Sequence, residues 1–375
     1  MQAPQAPVAL VEIIDRSDLR KYAAPWRALC SRAAEANCFG DPDFLIPALE
    51  HLAPSGVALA FIWSDETRTR LIGAIALKLP RFRFGAARVW RSEQAGLPAL
   101  IIDAAHIEAT LAQLFDFLRR RAATILIPGL PRQGDTAQAV ERFARDQTMP
   151  ISVGALAQRA ALAPSAHGSI DAAIGKKRLK EWARLRRRLS ETGALACQAS
   201  AALENIDDFL RLESSGWKGR RGTGLAGEKS REAFARAMIA AFVKSGALEF
   251  HRLDLDGRAI AMGILIRAHD RAFFWKIAYD ESLSAFSPGV LLTLDLSRRL
   301  ERTPGLALVD SCAISNHPMI DRIWSARLEL ADFMLATHSS GAMALSITAK
   351  SAQTKARLRA AAKTLLGPML GRKRT

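Results

Sequence analysis

The residues with the strongest claim to chemistry lie between Arg271 and Leu300, RAFFWKIAYDESLSAFSPGVLLTLDLSRRL. Ala272 to Tyr279 is an aromatic and β-branched run of strand length, and Asp280 to Phe286 is polar and small. Ser287-Pro288-Gly289 then opens an apolar stretch of helical period. The spacing predicts a strand, a loop and a helix. Ser287 is the N-cap candidate, and Pro288 takes the first helical position, where a missing N–H costs nothing. Gly289 lets another group approach the backbone closely. Val290, Leu291, Leu294 and Leu300 share one side of the helix, and Arg298 and Arg299 close it where cations suit its dipole. A strand delivering a small-residue turn into a helix N-terminus leaves several backbone N–H groups pointing one way. That is an anion site, most often for a phosphate or pyrophosphate. The same residues also fit an ordinary capped crossover helix on a sheet.

The elements that must position this stretch read as a mixed α/β chain. VALVEII is a short strand, followed by helical segments around Trp26 and from Phe44 to His51. VALAFIW and LIGAIALKL form a hairpin. RVWRSEQAGLPALIID is a strand with an irregular middle, followed by the helix IEATLAQLFDFLRRR, the strand TILIPGLP, the helix TAQAVERFARD and the strand ISVGALAQRAAL. From Leu195 the order repeats: a strand, helices over Ile206–Trp217 and Arg231–Ser245, and a hairpin turning at Asp256-Gly257. The opening stretch comes next, then the strand LALVDSCAI, a helix from about Pro318 to Trp324, and the strand ELADFMLAT. LIGAIALKL matches AIAMGILIR, so the chain reads as a duplication of one α/β unit. In the first copy the phosphate-type loop is degraded, because Gly96-Leu97-Pro98 starts no helix. A nucleotide-bearing ligand would therefore belong to the second copy.

With 375 residues there is room for two domains, and 49% hydrophobic with 24% charged residues is a globular composition. The four cysteines, at 30, 38, 197 and 312, make neither a CxxC pair nor a metal-ligand spacing. They are expected as buried thiols in a reducing cytoplasm, with no metal. The first twenty residues lack a signal-peptide pattern, and no run is long and apolar enough to span a bilayer. The net charge is +16, and two segments hold 14 of those charges. Lys176 to Glu191 has eight basic and two acidic residues, and Ser346 to Thr375 has eight basic and none acidic. The first is a helix with Leu179, Trp182, Leu185 and Leu189 on one face, expected to pack between the two halves, with a phosphate-bearing surface as the alternative. The second is a cationic amphipathic tail, either solvated or lying on an anionic membrane. Aromatic content of 7%, with none interleaved in the basic runs except Trp182, argues against stacking on nucleic acid.

The run YDESLSAFSPGVLL resembles the acyl-CoA-binding strand, loop and helix of the GNAT acetyltransferase superfamily. The similarity is to its double-domain branch, which includes the BioF2-like and CelD-like proteins and the FemABX peptidyltransferases. Upstream, FLRLESSGWKG from Phe209 to Gly219, with Gly222-Thr223 behind it, resembles that branch's substrate-side helix and loop. The resemblance implies a tandem duplicated GNAT-like fold with a degenerate domain at 1–165, a basic linker helix at 166–194, an acyltransferase domain at 195–345 and a basic tail at 346–375. It implies an N-acyltransferase using acetyl-CoA or another acyl-CoA, with an amine on an amino sugar, amino acid or polysaccharide precursor as acceptor. Tyr279, Asp280, Ser287, Pro288, Gly289 and Val290 would hold CoA. Asp310, ending the strand LALVD, would act as base or amine clamp, or else as a turn residue, and His317 is the second base candidate. Trp217, Lys218, Gly219, Arg220, Thr223 and Trp324 would meet the acceptor or the pantetheine end. Two alternatives within the resemblance are a FemABX-like transferase drawing on aminoacyl-tRNA and a non-catalytic partner of a polysaccharide synthase.

Overall fold

β-Branched and aromatic runs of five to eleven residues, broken by Gly, Pro and Asp turns, put much of this chain into strands. A computed structural model describes residues 10–154, 156–164, 169–338 and 341–347, with the side chain of Lys218 outside that set. The first half runs β1 (Leu10–Ile14), α1 (Ala23–Cys30), α2 (Pro42–His51), β2 (Val57–Trp63), β3 (Leu71–Lys78), β4 (Ala86–Val89) and β5 (Leu100–Ile102). It continues through α3 (Ile107–Arg119), β6 (Thr124–Pro131), α4 (Asp135–Asp146), β7 (Ile151–Val153) and β8 (Ala157–Leu162). After α5 (Ile170–Ile174) and α6 (Lys176–Ser190) come β9 (Leu195–Ser200), α7 (Asn205–Ser215), α8 (Trp217–Arg220) and α9 (Lys229–Lys244). The chain then forms β10 (Leu248–Leu255), β11 (Arg258–Ala268), β12 (Arg271–Tyr279), α10 (Pro288–Glu301), β13 (Leu308–Asp310) and β14 (Ala326–Ala336).

All the strands join one sheet, in the order β1-β2-β3-β4-β6-β14-β8-β13-β12-β11-β10-β9, with β5 on β3 and β7 on β14. Read inward from its two ends, the order is the same. Each half contributes an antiparallel meander and then one parallel pair, β4 with β6 and β12 with β13. The matched hairpin strands β3 and β11 fall at equivalent places, as a duplicated fold requires. The innermost position is exchanged: β14, last in the chain, pairs with β6 of the first half, while β8 of the first half pairs with β13 of the second. The duplicated unit read from the sequence would close as one sheet in each half; the exchange fuses the two into one.

One core lies between the halves, where α2 meets α9 and Phe44 meets Phe234 edge-on at 5.2 Å, as Phe39 does Phe273 at 5.3 Å. A second backs the first half under α3 and α4, and a third backs the second half under α5, α6 and α10. Helix α6 forms where its pattern predicted, with Trp182, Leu185 and Leu189 buried, but not between the halves. It lies in the third core, against α10 and the sheet of the second half, and Arg186 pairs with Asp295 of α10. The reason is that its apolar face matches the outer face of α10, while the cleft between the halves is already filled by α2 and α9. The expected helix over 318–324 is only a single tight turn, Ile320–Arg322, and the expected single strand through 151–162 is two, β7 and β8. All four cysteines are free thiols; Cys38 is buried, but Cys197 is exposed on the edge strand β9, so burial does not hold for every thiol. The basic tail lies outside the described residues from Thr348 onward.

Candidate functional site

The parallel pair β12–β13 is short. Arg271 pairs with Leu308, Ala272 with Val309 and Phe273 with Asp310, and there the ladder ends. Strand β12 runs on for six more residues, while the chain after Asp310 turns away. A bulge adds to the divergence: between the pairs Leu265↔Phe274 and Ile264↔Lys276 strand β12 carries one extra residue, Trp275. Its indole N–H reaches Gln94 O of the first half at 2.7 Å. The result is a split between the two strands, β12 running on from Phe274 to Tyr279 past the end of the ladder with β13. A split of this kind leaves room for an extended ligand between diverging strands.

Beyond Tyr279 the chain makes a tight turn over Glu281–Phe286 and enters α10. Ser287 does not cap the helix with its side chain, as the sequence led us to expect. It adopts a left-handed conformation (φ 52°), and its carbonyl accepts from Val290 N–H at 2.9 Å and Leu291 N–H at 3.2 Å. Pro288 is at the first position, as expected, and the Gly289 N–H has no acceptor among the described residues. Helix α10 is 14 residues long, so the dipole and orphan donors of a full helix end meet at the mouth of the split. Gly289 itself is buried. A Cβ there would lie 3.2 Å from Tyr279 Cδ1 and 3.7 Å from Met319 Sδ, so its small size serves packing on β12 as well.

The equivalent entry in the first half is closed by the protein itself. Asp103 is 1% exposed, accepts from Ala105 N–H at 3.0 Å, and pairs with Arg32 and Arg70, each at 2.8 Å. Burial alone would raise its pKa, but the two guanidinium groups hold the carboxyl well below the usual range. A carboxylate thus occupies the helix entry of the first half, whereas in the second half no side chain among the described residues caps that entry.

Residues 176–316 match the acetyltransferase (GNAT) domain family. That stretch carries a GNAT acetyltransferase domain, and the chain as a whole has a double-domain fold like that of FemX. The crystal structure of FemX is similar over 87% of this chain and 96% of that one, at 12% identity and a TM-score of 0.55. So is the C-terminal DUF2156 domain described as that of a putative lysylphosphatidylglycerol synthetase of Agrobacterium fabrum, over 89% and 96%, at 10% and 0.53. A conserved protein of Bacteroides thetaiotaomicron matches over 87% and 99%, at 12% and 0.50. These likenesses are of fold. No curated protein matches in sequence.

Within this GNAT frame the residues singled out from the sequence separate into two groups. Tyr279 borders both the helix entry and a small pocket at the end of β12, lined by Leu212, Glu213, Gly216, Trp217, Ile277 and Glu281. Trp217 is half exposed at that pocket, its backbone N–H donating to Glu281 Oε1 at 2.7 Å, with Arg221 over its ring. Arg220 binds Glu281 Oε2 at 2.5 Å and so pins α8 to the turn before α10. Gly219 is a packing residue rather than a ligand contact, because a Cβ would lie 1.8 Å from Ser214 O. Thr223 is exposed on the loop beyond, and Lys218 lies in α8 by its backbone. Asp280 is a turn builder: it accepts from Ser282 N–H at 3.0 Å and pairs with Arg258. Burial works to raise its pKa, and these partners lower it overall.

The second group needs correction. Asp310 is 2% exposed and paired with Arg159 of β8, itself 7% exposed, and its other oxygen accepts from Cys312 N–H at 2.9 Å. Arg159 also donates to Gly96 O at 3.0 Å, so this pair ties the two halves together. Burial disfavours the charge on Arg159, yet Asp310 more than restores it. A carboxylate sealed against a guanidinium is a tether, not a base in contact with substrate. His317 uses Nδ1 to accept from Met319 N–H at 3.3 Å, capping the turn at 320–322, which takes the lone pair a base would need. Trp324 is fully buried, donates to Ser297 Oγ at 2.7 Å and packs on Phe274, so it is core and not substrate-binding. Burial pushes the Cys312 thiol up, so it is no nucleophile. Sequence reasoning missed Glu213 and Glu281; their signal was one acid inside each of the two motifs, FLRLESSGWKG and YDESLSAFSPGVLL.

Proposed function

We propose that the second half transfers an acyl group from acyl-CoA to an amine. The open entry to α10, beside the split where β12 runs on past the end of β13, is the observation that carries this reading: it offers N–H donors for a pyrophosphate and a cleft between diverging strands for the amide-bearing pantetheine arm. Chemistry of this kind needs the two reactants aligned, the ammonium deprotonated and the developing oxyanion stabilised. The acceptor enters the small pocket where Tyr279, Trp217 and the carboxylates of Glu213 and Glu281 converge. Glu281 is committed to α8, whereas Glu213, 3% exposed with Oε2 accepting Leu225 N–H at 2.6 Å, forms the buried wall. Glu213 is the group assigned to hold the amine and take its proton. An amino sugar, an amino acid or a cell-envelope precursor in the cytoplasm fits such an acidic, half-aromatic pocket.

The test is calorimetric binding of acetyl-CoA to the wild type and to Ser287→Asp. Aspartate tolerates the left-handed backbone and suits a helix N-terminus, so the fold should persist. Its carboxylate would reproduce what Asp103 does in the first half and repel the pyrophosphate, weakening binding at least about ten-fold. No acetyl-CoA binding by the wild type, or unchanged affinity in Ser287→Asp, would remove the assignment.

A further inference from the structure

The edge of the sheet where β4 and β6 begin and β14 ends carries a surface that acyl transfer does not use. Ala86, Thr124 and Ala336 are neighbours across those three strands. Gly85 O accepts from Ala123 N–H at 2.9 Å, Thr337 N–H donates to Ala123 O at 3.0 Å, and the His338 ring nitrogen lies 3.0 Å from Arg119 O. Three segments therefore leave the sheet side by side: the turn Arg81-Phe82-Arg83-Phe84, the turn Arg119-Arg120-Arg121, and the helical residues 342–347.

This edge is unusually apolar and basic at once. Phe82, Phe84, Met343 and Ile347 are 70%, 77%, 77% and 63% exposed. Among the described residues only one other large apolar side chain, Ile314, exceeds 60%, so the exposure is concentrated here. Each phenylalanine carries the guanidinium of the preceding arginine near its ring, at 5.6 and 4.9 Å. Arg119, Arg120 and Arg121 are exposed beside them, and Lys78 and Arg88 pair across β3 and β4 at the same end. Asp116 lies 3.9 Å from Arg119. Residues 348–375 follow Ile347 directly in sequence and add eight basic residues and no acid.

We propose that this edge docks on an anionic phospholipid bilayer, with Phe82, Phe84, Met343 and Ile347 entering the headgroup layer and the arginines meeting lipid phosphates. Alternating Arg and Phe at a tight turn suits an interface in which aromatic rings sit at headgroup depth and cations at the surface. Exposed aromatic rings among arginines also suit single-stranded nucleic acid. Met343 and Ile347 decide for lipid, because an aliphatic side chain offers a base no ring to stack on, yet gains from an acyl boundary.

The experiment is co-sedimentation of the full chain with vesicles of phosphatidylcholine, alone or mixed with phosphatidylglycerol, at low and high salt. The wild type should bind the mixed vesicles in a salt-sensitive way and ignore the neutral ones. Phe82→Ser with Phe84→Ser should weaken partitioning about ten-fold, and Arg81→Gln or Arg83→Gln about five-fold each. Thermal melts should not move, since these side chains support no core. Failure of the wild type to bind mixed vesicles, or undiminished binding by the double phenylalanine variant, would overturn the proposal. So would a single-stranded oligonucleotide that binds more tightly than the vesicles and depends on the same two phenylalanines.

Discussion

Replacing Asp310 by Asn separates a tether from a base. Asparagine keeps the shape and can still accept from Cys312 N–H, so what changes is the charge beside Arg159. The guanidinium, 7% exposed, would retain Gly96 O but lose its ion pair, while its Nε already lacks an acceptor among the described residues. Breaking one partner of a buried pair leaves an uncompensated charge and costs about 3–5 kcal/mol. With an unfolding entropy of about 2.1 cal/mol/K per residue over 375 residues, that loss lowers Tm by about 4–6 °C. Adding Arg159→Met should restore most of it, because the pair is then replaced by groups that need no solvation. Calorimetric melting of wild type, Asp310→Asn and the double variant measures the stability arm. Turnover of acetyl-CoA with an amine that serves the wild type measures the catalytic one, and per folded molecule it should stay within a few-fold. An Asp310→Asn protein that melts like wild type while kcat drops by about 10²–10⁴ would refute the tether and return Asp310 to the base role.

Other outcomes follow from the same geometry. Glu213→Gln should lower kcat about 100-fold or more while leaving CoA affinity unchanged; a loss of CoA binding instead would make Glu213 a structural residue. Asp41, whose carboxyl burial pushes up to about 6, accepts from Asp43 N–H at 2.8 Å to cap α2. A carboxyl raised in the folded state contributes stability at low pH that is lost as pH climbs from about 4 through about 6. Asp41→Asn keeps the cap and should raise stability near neutral pH by on the order of 2 kcal/mol, visible as a flatter Tm-against-pH curve. Gly219→Ala should displace α8 from Ser214 O and impair acceptor use, measured as a raised acceptor KM with acetyl-CoA affinity intact.

Much of this molecule could be read from its residues, and the exceptions share a cause. The period of α6, the strand at 271–279 and the proline-led helix at 288 all announce themselves locally, and each forms close to where its pattern placed it. The duplication was visible because the strands LIGAIALKL and AIAMGILIR keep the same continuous apolar run, buried on both faces in each half. The roles of Asp310, His317 and Trp324 were not legible, since each is decided by partners distant in sequence or by burial. Asp310 meets Arg159 across 151 residues, and Trp324 finds Ser297 inside a core no window of sequence displays. Ser287 took a left-handed turn instead of a side-chain cap because the tight turn before it fixed the direction of entry. Glu213 and Glu281 converge only once α7 and β12 are packed.

The strand exchange bears on how a ribosome can release this protein. Strand β6 emerges early, yet its neighbour in the sheet is β14, and Ile125 must wait for Leu335. At about 5–20 residues per second, the roughly 200 intervening residues leave that inner edge bare for about 10–40 s of synthesis. For that interval the first half presents an unpaired strand to any passing chain, and its own β8 has no second half to join. Neither half can be born first and finished alone. A stop codon placed before Ala326 should therefore yield an aggregating fragment and not a smaller working protein, however intact the split beside α10 within it.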